Sequence, residues 1–166
     1  MKKNRFSVQC FISLDATDCK ITERRPFSSK YYSFKFKGPG LKYEVGLSIT
    51  TGRIVWVNGG IPCKTHDLTL ARSKLVKKLL PDEKIIADSG YRDDRYFVHP
   101  LAVINNHDFY KKVRARHENI NFRIKKFKVI GSTFRNTLDK HVKCFFAVAN
   151  LVQLKMDNGN SMARIY

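Results

Sequence analysis

The stretch KYEVGLSITTGRIVWVNG, residues 42–59, decides the fold because it predicts two strands joined by a tight turn. Residues 42–50 and 53–59 are rich in β-branched and aromatic residues, which favour strands. The Thr51-Gly52 link between them is short and contains a glycine, a combination typical of a β-hairpin. An antiparallel hairpin is therefore the centre from which the rest of the chain is assigned.

The chain before the hairpin predicts one more strand and a basic, aromatic segment. Residues 6–16 mix aromatic and β-branched residues and end near Asp15, so we expect a strand that is buried on both faces near its end. Residues 20–41 interleave Lys and Arg with Phe and Tyr. That pattern suits a phosphate backbone with stacked bases, and it equally suits an edge strand whose lysines prevent aggregation.

The chain after the hairpin predicts a helix, a strand and two further helices. Thr65 is expected to cap a helix over 66–80, and KIIADSGY (84–91) reads as a short buried strand followed by a turn. A helical period covers 111–130, and the last helix is predicted over 137–154. That last helix is apolar nearly all round from Cys144 onward, so we expect it to be buried. The tail from about residue 156 is expected to be loose.

One face of the 111–130 helix carries an apolar stripe formed by Val113, Ile120, Ile124 and Phe127. Glu118 lies across from this stripe, near Phe122 and Val129. If Glu118 has a function, that opposite face is the one expected to meet the sheet, and periodicity alone leaves the choice of face open.

The composition describes a strongly basic globular chain. Of its 166 residues, 32 are Lys or Arg and 14 are Asp or Glu, so the formal net charge is +18. This excess favours nucleic acid or an anionic membrane surface as a partner, although charge alone also fits a basic protein of the ribosomal type. No apolar run approaches the roughly 20 residues that cross a bilayer, so no membrane partner is expected. The four cysteines lack zinc-site spacing, which predicts reduced thiols in an intracellular protein.

Three carboxylates stand where the local pattern does not require one: Asp15 in FISLDAT, Asp88 in KIIADSGY and Glu118 in RARHENINFRIKKF. Phosphodiester cleavage needs an activated oxygen nucleophile and a stabilised leaving oxygen, and two Mg2+ ions roughly 4 Å apart supply both. Mg2+ prefers hard oxygen ligands and keeps several waters, so a few carboxylates on rigid elements suffice. We therefore expect the three side chains to converge on a divalent metal site.

Each carboxylate also has a purely structural explanation when it is taken alone. Asp15 suits a turn at a strand end, and Asp88 suits the start of an Asp-Ser-Gly turn. Glu118 can pair with Arg114 or Arg116 on a solvated helix face. Only their combination with the basic composition indicates metal chemistry on a polyanion.

Five motifs follow one another in an order that is similar to that of a known enzyme family. They are YYSFKFKGPGLKYEVGLSITTGRIVWVNG, HDLTLAR, IIADSGYRD, RARHENINFRIKKF and FRNTLDKHVKCFFAVANLVQLKMDNG, and they lie within about residues 8–160. This series resembles the catalytic domain of PIF/Harbinger-type DDE transposases. The resemblance implies an α/β fold of the RNase H type, in which a mixed β-sheet is flanked by helices. It also implies that residues 1–166 form a single catalytic domain.

The resemblance further implies a D-D-E triad that binds divalent cations, two Mg2+ or Mn2+ ions. Asp15 lies in a D-G-T type strand end, where Ala16 replaces the usual Gly; Asp88 lies in an A-D-x-G-Y element, and Glu118 lies in an R-H-E-x-x-N helix. Asp15 and Asp88 are expected to hold or bridge the two ions, and Glu118 is expected to hold the second.

Basic side chains near this triad are expected to contact the DNA backbone. They are Lys35, Lys37, Arg114, Arg116, His117, Lys125 and Lys126. A solvated helix face also explains some of these charges, and a surface or core position explains His117 equally well. The resembled family usually carries an upstream helix-turn-helix segment, whereas here the first strand begins close to Met1. We therefore expect no such domain, and a separate DNA-binding protein is the candidate for end recognition; a homo-oligomer is left open. The eukaryotic spread of the family predicts the nucleus as the location, with the cytoplasm as the alternative.

Two functions remain open from the sequence. The first is a metal-dependent DNA endonuclease or transposase-derived nuclease that cleaves phosphodiester bonds. The second is an inactive domesticated or decayed copy that binds DNA or a protein through its basic surface. The intact triad favours the first function, and the missing upstream segment favours the second.

Overall fold

The computed structural model describes residues 9–99 and 107–162 of the chain. The predicted beginning of the first strand at 6–8, the connection at 100–106 and the last four residues of the tail lie outside these ranges. Six strands and four α-helices are described, and 3-10 turns at Ser29–Tyr31 and Val76–Lys78 lie between them. In chain order the elements are β1 (Gln9–Lys20), β2 (Tyr32–Ser33), β3 (Gly38–Ser48), β4 (Ile54–Pro62), α1 (Asp67–Lys74), β5 (Glu83–Ile86), β6 (Phe97–Val98), α2 (His107–Lys125), α3 (Lys128–Gly131) and α4 (Leu138–Asp157).

The described strands form one mixed sheet in the order β2-β3-β1-β5-β6, with β4 also paired to β3. The predicted hairpin is confirmed as β3 and β4, which pair antiparallel. β1 pairs antiparallel with β3 and parallel with β5, and β5 pairs parallel with β6. The α/β fold class is confirmed, and a six-stranded mixed sheet flanked by helices is consistent with an RNase H-like fold.

The sheet buries apolar clusters on both faces because side chains alternate along a strand. On one face Tyr43, Val45 and Leu47 of β3 pack in the cluster that holds Ile120 of α2 and Phe145 of α4. The opposite face carries a second cluster, and its main members are Leu14, Ala71, Leu75, Ile85, Tyr91 and Phe97. α2 and α4 therefore cover one face of the sheet, and α1 covers the other.

The helical stripe is confirmed on α2, where Val113, Ile120 and Ile124 are buried. Thr65 was wrongly predicted as a helix cap. Its amide donates to the Pro62 carbonyl at 3.0 Å and its carbonyl accepts from Lys42 Nζ at 2.7 Å, so Thr65 belongs to the turn before α1. The first helical residue is Asp67, and α1 ends at Lys74, short of the expected residue 80.

The last helix is not buried all round, which corrects the sequence prediction. Phe146, Leu151 and Leu154 are 38%, 46% and 57% exposed, because β4, α2 and α3 cover only one side of α4. The tail was expected to be loose from about residue 156. Within its described part, α4 continues to Asp157 and Met162 packs against the larger apolar cluster. No helix in the described ranges is long and apolar enough to span a bilayer.

Candidate active site

Asp15 lies in the middle of β1, although the sequence predicted it at a strand end. β1 continues to Lys20 because β3 pairs with it as far as Lys20 opposite Gly40. The parallel partner β5 stops earlier, at the pair Ser13 and Ile86. Asp15 therefore follows the point where one neighbour of β1 ends, and the same register carried two residues further brings Asp15 beside Asp88.

Asp88 is the second residue after the short strand β5 and is exposed. Its Oδ1 accepts a hydrogen bond from the Gly90 amide at 2.9 Å, which closes the Asp-Ser-Gly turn that the sequence predicted. A carboxylate oxygen held by its own turn is fixed in direction, so this turn orients Asp88 as well as ending the strand.

Glu118 lies near the middle of α2 on the face away from the buried stripe, and its side chain is 72% exposed. It pairs with Arg114 one turn earlier at 3.8 Å, as the structural explanation of this residue expected. The face of Glu118 therefore does not pack on the sheet. The side chain nevertheless reaches the same cavity as Asp15 and Asp88.

The three predicted carboxylates line one small cavity of about 90 Å³. This volume exceeds the roughly 10–15 Å³ that a single water requires. Its walls come from β1, the end of β5 and one side of α2: Leu14, Asp15, Ile86, Ala87, Asp88, Tyr110, Val113, Arg114, His117 and Glu118. Side chains distant in sequence are thus brought together by the parallel β1–β5 pair and the helix that crosses it.

The surroundings of Asp15 in this cavity raise the pKa of its carboxyl group. Burial raises the pKa of its carboxyl group, the Lys35 ammonium lowers it, and the negative charge of Asp88 raises it again. Asn121 Nδ2 donates to Asp15 Oδ2 at 2.9 Å and also favours the charged form. Asp15 is therefore a half-buried carboxylate next to a like charge, an arrangement that a bound cation would relieve.

The donor set has the right chemistry for Mg2+ or Mn2+, since all three side chains supply hard oxygen ligands. Across residues 9–99 and 107–162, however, no group of three His, Cys, Asp or Glu side chains is close enough to hold a metal ion. Glu118 is turned towards Arg114 in this conformation. The residues fit a divalent cation by chemistry and by their shared cavity, and a common coordination sphere requires Glu118 to leave its ion pair.

Five of the seven predicted DNA-contacting side chains lie on the surface: Lys35, Lys37, Arg114, Lys125 and Lys126. Among these five side chains, Lys35 is the one whose charge lowers the pKa of the Asp15 carboxyl group. Its Nζ donates to the Ala16 carbonyl at 3.1 Å. These five cations remain available to a phosphate backbone.

The prediction is wrong for Arg116 and His117, which are each only 5% exposed. Arg116 Nη1 donates to the Ile49 carbonyl at 2.7 Å. His117 Nε2 lies 2.9 Å from Ser13 Oγ, and burial lowers the pKa of His117 to about 4. Both residues anchor α2 to the sheet from inside and are not placed to contact a DNA backbone.

Two functional-site neighbours were not assigned a role from the sequence. Asn121 lies three residues after Glu118, and this helical spacing places both on one side of α2. Asp67 lies in the first turn of α1, and its Oδ1 lies 2.5 Å from Lys42 Nζ. A Cβ added to Gly90 would lie 3.0 Å from Asp88 Oδ1, which is a tight approach, and in ordinary contact with Asp67 Oδ2 at 3.6 Å, so a side chain at position 90 would press on Asp88.

Comparison with known proteins supplies one match. The sequence model of a protein family described as DDE superfamily endonuclease matches residues 14–153. The matched range includes β1 from Leu14 onward and all three carboxylates of the cavity. No curated protein and no solved structure matches the chain.

Proposed function

The chain belongs to the DDE superfamily endonucleases, and we propose that it cleaves DNA phosphodiester bonds with divalent cations held by Asp15, Asp88 and Glu118. The observation that carries this proposal is the shared cavity, to which three separate elements each contribute one carboxylate. A surface role for each residue would not bring them to one place. Two bound cations would supply nucleophile activation and leaving-group stabilisation there.

The side chains around the cavity divide the work. Asp15 and Asp88 form the fixed part, because Asn121 holds the first and the Gly90 amide holds the second. Glu118 forms the adjustable part, since its pair with Arg114 is long and exposed and costs little to break. Arg114, once released, is free to meet a phosphate at the cavity rim.

The positive charge of the chain supports DNA as the substrate. With a formal net charge of +18, the protein attracts a polyanion strongly at low salt. Lys35 near Asp15 adds an exposed cation beside the cavity, and Lys125 and Lys126 are exposed at the end of α2. We further propose a transposase-derived enzyme of the Harbinger type that acts as one domain in the nucleus, with a separate DNA-binding protein for end recognition.

A second candidate is an inactive copy that binds DNA without cleaving it. The ion pair between Glu118 and Arg114 favours this candidate, because it holds the third carboxylate away from the other two. The two candidates differ in cleavage and agree in DNA binding.

Nicking of supercoiled plasmid with Mg2+ or Mn2+ tests the proposal. Wild-type protein should nick, and Asp88→Asn should not, because the amide keeps the hydrogen bond from Gly90 but cannot hold a cation. Asp82→Asn is the matched control: Asp82 is exposed, lies away from the cavity and has a φ of 64°, which Asn accepts. If the wild type and Asp88→Asn are both silent while both bind DNA, the inactive candidate holds.

A further inference from the structure

A second, larger cleft lies at the far end of β1, and the proposed chemistry does not use it. It has a volume of about 520 Å³. Its walls come from the last residue of β1, the segment after it, and the turn between β2 and β3. The side chains that give it its character are four aromatic rings, three cations and one carboxylate: Phe27, Tyr31, Tyr32, Phe36, Lys20, Arg24, Lys37 and Glu23.

The rings of this cleft are available to a ligand. Phe27 is 69% exposed and Tyr32 is 37% exposed, although large aromatic side chains are normally buried. Lys20 Nζ lies 5.5 Å from the centre of the Phe36 ring, so a cation and an aromatic face are already adjacent. The cleft therefore presents flat apolar surfaces beside positive charge.

The edge-strand explanation of this basic, aromatic segment does not account for the cleft. Of residues 22–37, only Tyr32 and Ser33 form a strand, and these two pair with the beginning of β3. Phe27 lies outside any strand and protects no sheet edge. The alternative that remains from the sequence is a surface for phosphates and stacked bases.

The cleft and the carboxylate cavity are joined through three consecutive residues. Lys35 Nζ donates to the carbonyl of Ala16, the residue after Asp15, at 3.1 Å. Phe36 and Lys37, the next two residues, line the cleft.

We propose that this cleft binds the unpaired bases of a single-stranded DNA segment that continues from the strand held at the carboxylate cavity. The inference rests on the proposed function, because the cavity supplies the other end of the strand. Phe27 and Tyr32 stack on bases, and Lys20, Arg24 and Lys37 face the phosphates. Duplex DNA keeps its bases inside, so it would offer these rings no face to stack on.

Binding measured without cleavage tests the proposal. Fluorescence anisotropy in EDTA would compare a 5′-labelled 12-nucleotide single strand, the blunt duplex of the same sequence, and a duplex with a 6-nucleotide single-stranded overhang. The wild type should bind the overhang substrate at least about fivefold more tightly than the blunt duplex, as expected for one stacked base. Equal affinity for the two substrates would overturn the proposal.

Variants of the cleft separate stacking from charge. Phe27→Ala should weaken single-strand binding about 10-fold and leave blunt-duplex binding unchanged. Phe27→Trp keeps an aromatic face and should bind the single strand as tightly as the wild type. Lys37→Asn removes a charge at a position whose φ is 54°, which Asn tolerates, and should reduce the log–log salt slope by about 0.7. Phe146→Ala is the matched control, an exposed Phe on α4 outside the cleft lining. A Phe27→Ala variant that is folded and binds like the wild type contradicts the stacking role.

The outcome is separable from that of the nicking test. If the protein fails to nick plasmid but Phe27→Ala still loses single-strand binding, the proposed endonuclease activity fails and the cleft stands. If Asp88→Asn abolishes nicking but the cleft variants bind normally, the endonuclease stands and the cleft proposal fails. A deoxynucleoside monophosphate is added as a competitor. If it displaces the oligonucleotide and the cleft binds both equally tightly, the cleft is a site for free nucleotides and the single-strand proposal is overturned.

Discussion

Asp15 on β1 and Glu44 on β3 are carboxylates on neighbouring strands that face opposite sides of the sheet. Glu44 lies opposite Ala16 in the β1–β3 register, so its side chain is on the same face of the sheet as Ala16 and on the opposite face from Asp15. Burial raises the pKa of both carboxyl groups. Burial disfavours the charged form of both carboxyl groups, but the two groups have different neighbours on the two faces.

Glu44 is closed off from solvent, with 0% exposure, and its Oε1 accepts from Trp56 Nε1 at 2.8 Å and from Asn58 Nδ2 at 3.2 Å. The carboxyl group of Asp15 accepts from the Asn121 side chain and the Ala16 backbone amide, has the like charge of Asp88 beside it, and lines an open cavity. An enclosed carboxylate with neutral donors holds the fold together. The half-open carboxylate of Asp15, beside that of Asp88, is the one that we propose takes up a cation, at a cost in stability.

The largest expected effect is the loss of nicking in Asp15→Asn, about 1000-fold, because a ligand to the proposed cations contributes several kcal/mol of transition-state stabilisation. The same change should stabilise the cation-free protein by about 1 kcal/mol, since it removes a charge that burial and Asp88 both disfavour. Plasmid nicking measures the first effect, and urea denaturation in EDTA measures the second.

If Asp15→Asn instead lowers the free energy of unfolding, Asp15 supports the fold as Glu44 does, and the contrast between the two carboxylates does not hold. Asp139→Asn, at an exposed position in the first turn of α4, is a control for the loss of one negative charge. It should leave nicking unchanged.

The next effect is the destabilisation of Glu44→Ala, about 3 kcal/mol in the free energy of unfolding. Truncation leaves the Trp56 and Asn58 donors without their shared acceptor and opens a cavity in a closed site. Urea denaturation should show this loss, and thermal unfolding should shift by about 9 °C. Nicking by the folded fraction should persist. A loss below about 1 kcal/mol would mean that these hydrogen bonds do not support the fold.

Hydrophobic pattern and motif spacing were enough to predict the hairpin, the stripe on α2 and the carboxylates that share a cavity. The extension of β1 beyond Asp15 was missed, because it depends on pairing with Gly40 and its neighbours on β3, which no local pattern encodes. Glu118 was expected to reach the site only if its face packed on the sheet. The structure shows that a carboxylate on the exposed side of a helix can still line a cavity at the helix edge.

The burial of Arg116 was available in the sequence and was misread, whereas the core position of His117 was one of two alternatives left open. Both precede Ile120 by one helical turn, at spacings of four and three, and so fall on the buried stripe. Their polarity suggested a DNA contact instead. Polar residues on an apolar stripe are better interpreted as internal anchors, as the contacts of Arg116 with the Ile49 carbonyl and of His117 with Ser13 show.

A smaller effect is the pH dependence of stability that Glu44 confers. Because its folded pKa is raised, the folded state holds more protons between the unfolded and folded pKa values. The stabilisation from a neutral Glu44 is therefore present below the unfolded pKa of about 4.3 and is lost as pH rises through the folded pKa. Glu44→Gln should lose this dependence, which has a slope of up to about 1.4 kcal/mol per pH unit.

The pKa of Asp15 is raised as well, so its titration would overlap with that of Glu44. The pH dependence of stability is therefore compared in the Asp15→Asn background, with and without Glu44→Gln. Urea denaturation from pH 4.5 to 7.5 gives the two curves. Parallel curves would show that Glu44 titrates alike in the folded and unfolded states, and the closed face would then carry no electrostatic cost.

The smallest effect is expected at the rim of the open face, in Arg114→Gln. Its pair with Glu118 is exposed, with 66% and 72% of the two side chains accessible, so the free energy of unfolding should change by less than about 0.5 kcal/mol. If Arg114 contacts one phosphate, the log–log salt slope of duplex binding should fall by about 0.9. Arg53→Gln is the matched control, because Arg53 also holds an exposed ion pair, with Asp157, away from the cavity. An equal change of salt slope in both variants would show that Arg114 acts through net charge alone, and a loss of stability above about 1 kcal/mol would show that the rim, like the pocket of Glu44, is part of what holds the fold.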